Sequence, residues 1–134
     1  MPVIKTEIFP LRVESDVVQA RQVVRKWAIE LRFGLVDQTK VVTAASELAR
    51  NTIIHGGGGV MRMEALKEGI RNGLRLHFED QGPGIPDVAR ALQDGYTTGS
   101  GLGLGLGGSK RLSNEFDIIS KPGEGTKITI TRWK

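Results

Sequence analysis

Cysteine is absent from all 134 residues, which excludes disulfides and cysteine-ligated zinc. No apolar run reaches the length that crosses a bilayer. The N-terminal MPVIKTEIFP also carries a proline and an acid where a signal peptide has its apolar core, so a cytoplasmic protein without a membrane partner is expected. Aromatic residues are few, one Tyr, four Phe and two Trp, and the basic residues behind the net charge of +4 are scattered along the chain. That pattern argues against a nucleic-acid surface and fits an anionic small molecule or an acidic partner. No Gly-Lys pair occurs, so a Walker-type phosphate loop is excluded. Repeats and linkers are missing as well, and the length suits a single domain over residues 1–134.

What the chain has in quantity is glycine, 18 residues in all, concentrated between Glu79 and Leu112 in EDQGPGIPD and TTGSGLGLGLGGSKRL. Glycine is costly in conformational entropy. A folded chain that keeps so much of it needs backbone close to a ligand, positive φ, or a loop that moves. The stretch reads as a nucleotide site.

The flanking chain supplies a scaffold. Val3 to about Val13 mixes β-branched and charged residues around Pro10, as an edge strand does. Val17, Ala20, Val23, Val24, Trp27, Ala28 and Leu31 recur at helical spacing, with Ser15 near the start and Gly34 where a C-terminal cap is expected. A second helix runs from after Asp37 to His55 and is stopped by Gly56 to Gly59. Along it Glu47, Asn51 and His55 recur at i, i+4, i+8 as a polar stripe, which is either a solvated face or one wall of a site. Val60–Ala65 and Gly73–Asp80 alternate as strands joined through EGIRNG, and Asp80 shares the parity of Leu74, Leu76 and Phe78. The inward row therefore ends in a carboxylate, which is expensive unless it meets a hydrogen-bond donor.

Pro86 opens a short helix ended by Gly95, and SKRLSNEF reads as a helix that follows directly on the glycines, offering free N–H groups to phosphate. Phe116–Ser120 and Thr126–Trp133 complete the strands through a KPGEG turn, with Thr126 on the inward parity of Ile128 and Ile130. Strands and helices in this irregular order favour α+β, a two-layer sandwich with a mixed, mostly antiparallel sheet and helices on one face.

Gly103, Gly105 and Gly108 match G-x-G-x-x-G, but no strand runs into them, so a dinucleotide-binding unit is rejected. The larger pattern is ELARN on a helix, DQGPG at a strand end, GLGLGLGG before a helix and Gly125-Thr126 opening the last strand. In that order it resembles the GHKL, or Bergerat-fold, ATPases. Within them SELARN, EDQGPGIPD, KRL before EF, GEGT and the closing RW resemble the small serine-protein kinases that control bacterial sigma factors.

The resemblance implies ATP and Mg²⁺ as cofactors. It makes Glu47 the general base, Asn51 the Mg²⁺ ligand and Asp80 the acceptor of the adenine amino group. Gly82 and Gly84 give the base room to approach, Gly101, Gly103, Gly105 and Gly107 form a phosphate lid, and Thr126 makes a second contact near adenine. It further implies phosphorylation of a STAS-domain antagonist protein in a partner-switching or stressosome pathway, with a PP2C-type phosphatase as a downstream partner and a sigma factor as a less favoured one. The alternative is an anti-sigma factor or nucleotide-gated binding module with little kinase activity. For Arg50, phosphate, a partner and solvent all stay open.

Overall fold

The computed structural model describes residues 3–92 and 105–134. Five strands, β1 (Val3–Leu11), β2 (Gly59–Glu68), β3 (Arg71–Asp80), β4 (Glu115–Lys121) and β5 (Gly125–Trp133), form one sheet in the order β1-β2-β3-β5-β4. Helices α1 (Glu14–Glu30), α2 (Leu35–Ile54), α3 (Val88–Ala91) and α4 (Gly105–Arg111) complete the described elements. This is the expected α+β sandwich. Every described strand pairing is antiparallel, where a mixed sheet was expected, because neighbouring strands are joined by short turns or return from the helical layer in the opposite sense.

The sheet's inner face is built by parity. Met61 and Met63 of β2, Leu74, Leu76 and Phe78 of β3, and Ile128 and Ile130 of β5 are all buried together with Trp27 of α1 and Leu48 of α2. Each such side chain contributes about 1.5–3 kcal/mol when fully removed from water. The hairpin is tighter than EGIRNG suggested. Its strands run to Glu68 and from Arg71, leaving only Gly69 and Ile70 in the turn. They extend because Leu66 is buried on the other face of the sheet, opposite Gly73, whose missing side chain makes room for the Trp133 ring.

Both helix junctions differ from the expected caps. The first helix starts at Glu14, so Ser15 lies inside the first turn. The capping is done by Asp16, whose carboxylate accepts the N–H groups of Arg12 at 2.8 Å and Val13 at 3.1 Å. These two bonds hold the Asp16 carboxyl below its ordinary range. At the other end the left-handed residue is Arg32, φ 65°, and Phe33 N–H reaches back to the carbonyl of Ala28. Gly34 therefore caps the start of α2 instead of the end of α1. Asp37 lies within that start and pairs at 2.7 Å with Arg132 of β5, tying helix layer to sheet.

The face of the sheet away from the helices carries His77. Its Nε2 lies 2.7 Å from Glu64 and its Nδ1 3.0 Å from the Thr129 hydroxyl, a pattern that a neutral ring satisfies by donating to the carboxylate and accepting from the hydroxyl. Burial pushes the imidazole below its ordinary value of 6.5, helped by Arg62 and Lys127, while the hydrogen bond and charge of Glu64 oppose the shift. An unfolded chain thus takes up a proton that the folded chain excludes. Stability should be full above the ordinary histidine value and should decline as pH falls below it. Urea unfolding of wild type between about pH 7 and pH 5.5 should show this decline, and His77→Gln should flatten it; an unchanged slope in the variant would remove His77 as its source.

Candidate nucleotide site

The site begins with a carboxylate at the end of a strand. Asp80 is only 8% exposed, on the inner face, where its β5 neighbour is Thr126, itself 7% exposed. One carboxylate oxygen accepts the Gly82 N–H at 2.9 Å, closing the turn, and the other has no donor among the described residues. That second oxygen is not among the sealed, unsatisfied polar atoms of the described residues, so it stays open to a ligand N–H. The expected inward parity of Asp80 and Thr126 is thus observed.

The sequence did not single out Gly56, which packs against this carboxylate. A methyl group there would run into the Asp80 side chain, and Gly82 in turn abuts the Gly56 backbone. The GGGG run reads as a helix stop, and only the packing of α2 against β3 shows that its first member also shapes the site. At Gly84, φ is 79° and a side chain would strike the carbonyl of Lys121, so the 81–87 loop lies against the β4–β5 turn. Ser120 was also missed as a site residue. Its strand parity, shared with Ile118 and Phe116, was available as a signal, and its hydroxyl stands 2.8 Å from that of Thr126.

The second wall is α2. Glu47 and Asn51 stand one turn apart, with the Asn51 carbonyl accepting His55 N–H at 2.9 Å and Gly56 N–H at 3.4 Å as the helix ends. The rise of an α-helix places Asn51 about 7 Å and Glu47 about 13 Å along the axis from Gly56, a progression away from Asp80. The Asn51 side-chain amide has no protein partner among the described residues. Arg50, left open by the sequence, bridges Glu47 and Glu14 of α1, with 3.6 Å in each pair. Pairs this long and partly exposed are worth little in stability.

The glycine-rich segment divides. Gly101 and Gly103 lie outside the described residues, whereas Gly105 and Gly107 belong to α4. The helix expected over SKRLSNEF is therefore shifted back into the glycines. It ends at Arg111 because Asn114 turns into the sheet, its N–H bonding the Thr131 carbonyl and its side chain accepting Trp133 N–H. Leu106 and Ser109 are buried, and this packing of α4 onto α2 outweighs the poor helix propensity of glycine.

Mg²⁺ was expected on Asn51. Among the described residues no group of three or more His, Asp or Glu could hold a metal alone. An unpartnered amide fits an ion that keeps much of its water and takes its remaining ligands from phosphate oxygens.

Residues 36–134 match the family described as histidine kinase-, DNA gyrase B- and HSP90-like ATPases. The chain belongs to this family. It is 48% identical over 120 residues to the serine/threonine-protein kinase RsbT of Bacillus subtilis, covering 90% of each chain. It is 31% identical over 120 residues to the anti-sigma F factor of a Thermoanaerobacter species, covering 85% of this chain and 82% of that one. In fold it is similar to the RsbU and RsbW domains of a Mycobacterium tuberculosis protein, with a TM-score of 0.63 and 21% identity, spanning 96% of this chain and 32% of that longer one. It is also similar to the SiaB–SiaC complex of Pseudomonas aeruginosa, with a TM-score of 0.57 and 12% identity. These two likenesses bear on the fold alone.

The packing at Gly56 yields a test. Gly56→Ala should displace the Asp80 carboxylate, weakening ATP binding by tenfold or more and costing about 1–3 kcal/mol of stability, as overpacking does. Calorimetric titration with ATP and thermal melting would measure both, and wild-type ATP affinity in the variant would show that the carboxylate is not held by this contact.

Proposed function

We propose that the protein is an ATP-dependent serine-protein kinase that phosphorylates a STAS-domain antagonist protein in a cytoplasmic partner-switching pathway. The observation that carries the reading is the half-paired, buried Asp80 carboxylate at the sheet end, facing the helix that bears Glu47 and Asn51. It suits a ligand with an amino group at one end and phosphates at the other. Similarity to RsbT supports the choice of protein serine as acceptor.

In the proposed reaction Asp80 accepts a hydrogen bond from the adenine amino group, and the Thr126 hydroxyl stands beside it. Asn51 would hold Mg²⁺, which supplies charge neutralisation at the phosphates when bound. Glu47 takes the proton from the incoming serine hydroxyl as its oxygen forms a bond to the γ-phosphorus. The bond from that phosphorus to the β,γ-bridging oxygen breaks, and ADP leaves with the electron pair. Glutamate suits this role because its negative charge makes it a poor ligand for phosphate and a good acceptor for a proton. Arg50 lies 3.6 Å from this carboxylate and 3.6 Å from that of Glu14 in α1. Release of the phosphorylated antagonist would leave the kinase free for a downstream partner, for which a PP2C-type phosphatase is the expectation.

Similarity to an anti-sigma F factor favours one other reading, a nucleotide-gated holder of a sigma factor. Incubation with Mg-ATP and STAS-domain proteins, with mass spectrometry to locate phosphate on a serine, decides between them. Pull-downs should recover a STAS-domain protein, and a tight sigma-factor complex without phosphotransfer would overturn the kinase reading.

The two helix residues should fail differently. Glu47→Ala should keep Mg-ATP and partner binding while slowing transfer by roughly 10²–10⁴-fold. Asn51→Ala should weaken Mg-ATP binding itself. Near wild-type transfer by the Glu47 variant, in single-turnover assays, would remove the general-base assignment.

A further inference from the structure

Across the sheet end, Ser120 of β4 stands opposite Thr126 of β5, and Thr126 opposite Asp80 of β3. The three side chains form one polar row on the inner face. The Ser120 oxygen accepts the backbone N–H of Ile85 at 2.7 Å, lies 2.8 Å from the Thr126 hydroxyl, and lies 3.3 Å from the Gly125 carbonyl. Ile85 belongs to the 81–87 loop, which carries Gly82 and Gly84 and has no strand or helix ladder to hold it. A second bond, from Gly123 N–H to the Pro83 carbonyl at 2.7 Å, ties the same loop to the β4–β5 turn.

We propose that Ser120 is a positioning residue of the nucleotide site: through Ile85 it fixes the loop that the base must approach, and through Thr126 it sets the hydroxyl beside Asp80. The inference rests on the ATP reading of the site. A serine hydroxyl has one hydrogen and two lone pairs. One lone pair is taken by Ile85 N–H. The hydrogen has two acceptors within reach, the Gly125 carbonyl and the Thr126 hydroxyl, and that hydroxyl has no other hydrogen-bond partner among the described residues. When Ser120 donates to Gly125, Thr126 can donate to Ser120 and offer lone pairs to a ligand. When Ser120 donates to Thr126, the Thr126 hydrogen is free for the ligand. The pair can thus meet either an acceptor or a donor on the base without leaving a buried group unpaired. Removal of the Ser120 hydroxyl orphans Ile85 N–H and leaves Thr126 without its partner.

The test compares Ser120→Thr with Ser120→Val, which are alike in shape and differ in the hydroxyl, with Ser120→Ala as a smaller variant. ATP affinity is read by calorimetry in the presence of Mg²⁺, and exchange of the Ile85 amide by NMR in the free protein. Ser120→Val and Ser120→Ala should each raise the ATP dissociation constant about tenfold, the effect of one buried hydrogen bond. Both should speed Ile85 exchange and lower the melting temperature while staying folded at the assay temperature, and Ser120→Thr should restore ATP affinity and Ile85 protection. Asp80→Asn separates the levels of the argument. If it loses ATP while Ser120→Val binds ATP normally or keeps Ile85 protected, the role of Ser120 is wrong and the site stands. If wild type binds no ATP, or Asp80→Asn binds as well as wild type, the ATP reading itself falls.

Discussion

A largely buried aspartate at a sheet end, with one carboxylate oxygen bonded to the turn and the other left without a protein donor among the described residues, is the constraint on which the rest of this structure turns. Asp80 can be buried because Gly82 N–H meets one oxygen and because Gly56 leaves bare backbone where any side chain would collide. Each condition reaches into a different element. Gly56 demands that α2 end at this height on the sheet, and Gly82 demands that the chain turn sharply as β3 ends. A carboxylate contributes little to a core by itself, and its place at the sheet end is what the proposed nucleotide site uses.

The helix that ends just before Gly56 extends this local requirement along the proposed site. Because α2 is one continuous helix from Leu35 to Ile54, packed by Val41, Ala44, Ala45 and Leu48, the spacing from Asp80 to Asn51 and Glu47 is rigid. The Arg132–Asp37 pair fastens the start of α2 to β5, and the apolar packing of α2 against α1 and the sheet holds its later turns. Asp80 is thereby held at a sheet end, and Asn51 and Glu47 on one helix packed against that sheet. The loops that remain, 81–87 and the β4–β5 turn, brace each other instead of standing free.

Much of this was legible in the amino-acid sequence, and for clear reasons. Period-two alternation put Asp80 and Thr126 on the buried face, since a one-residue slip would expose Leu74, Leu76, Phe78, Ile128 and Ile130 together. Helical spacing brought Glu47 and Asn51 to one side of α2, and the order of the motifs pointed to the ATPase family that the comparisons identify. These features depend on neighbours in the chain, where local geometry leaves little choice.

Other features were decided only by tertiary packing. Ser15 and Gly34 carry cap chemistry that local rules assign, yet Asp16 caps α1 and Arg32 takes the left-handed position, because the junction must deliver α2 to the sheet. Helix α4 begins among glycines that favour a loop by propensity, because Leu106 and Ser109 find buried places beside α2. The meeting of Gly56 with Asp80, and of Ser120 with Ile85, joins residues 24 and 35 positions apart. By itself the sequence determined which side chains face inward and which chemistry they carry. Tertiary structure decided which of them meet, because contacts between distant residues depend on how whole elements pack.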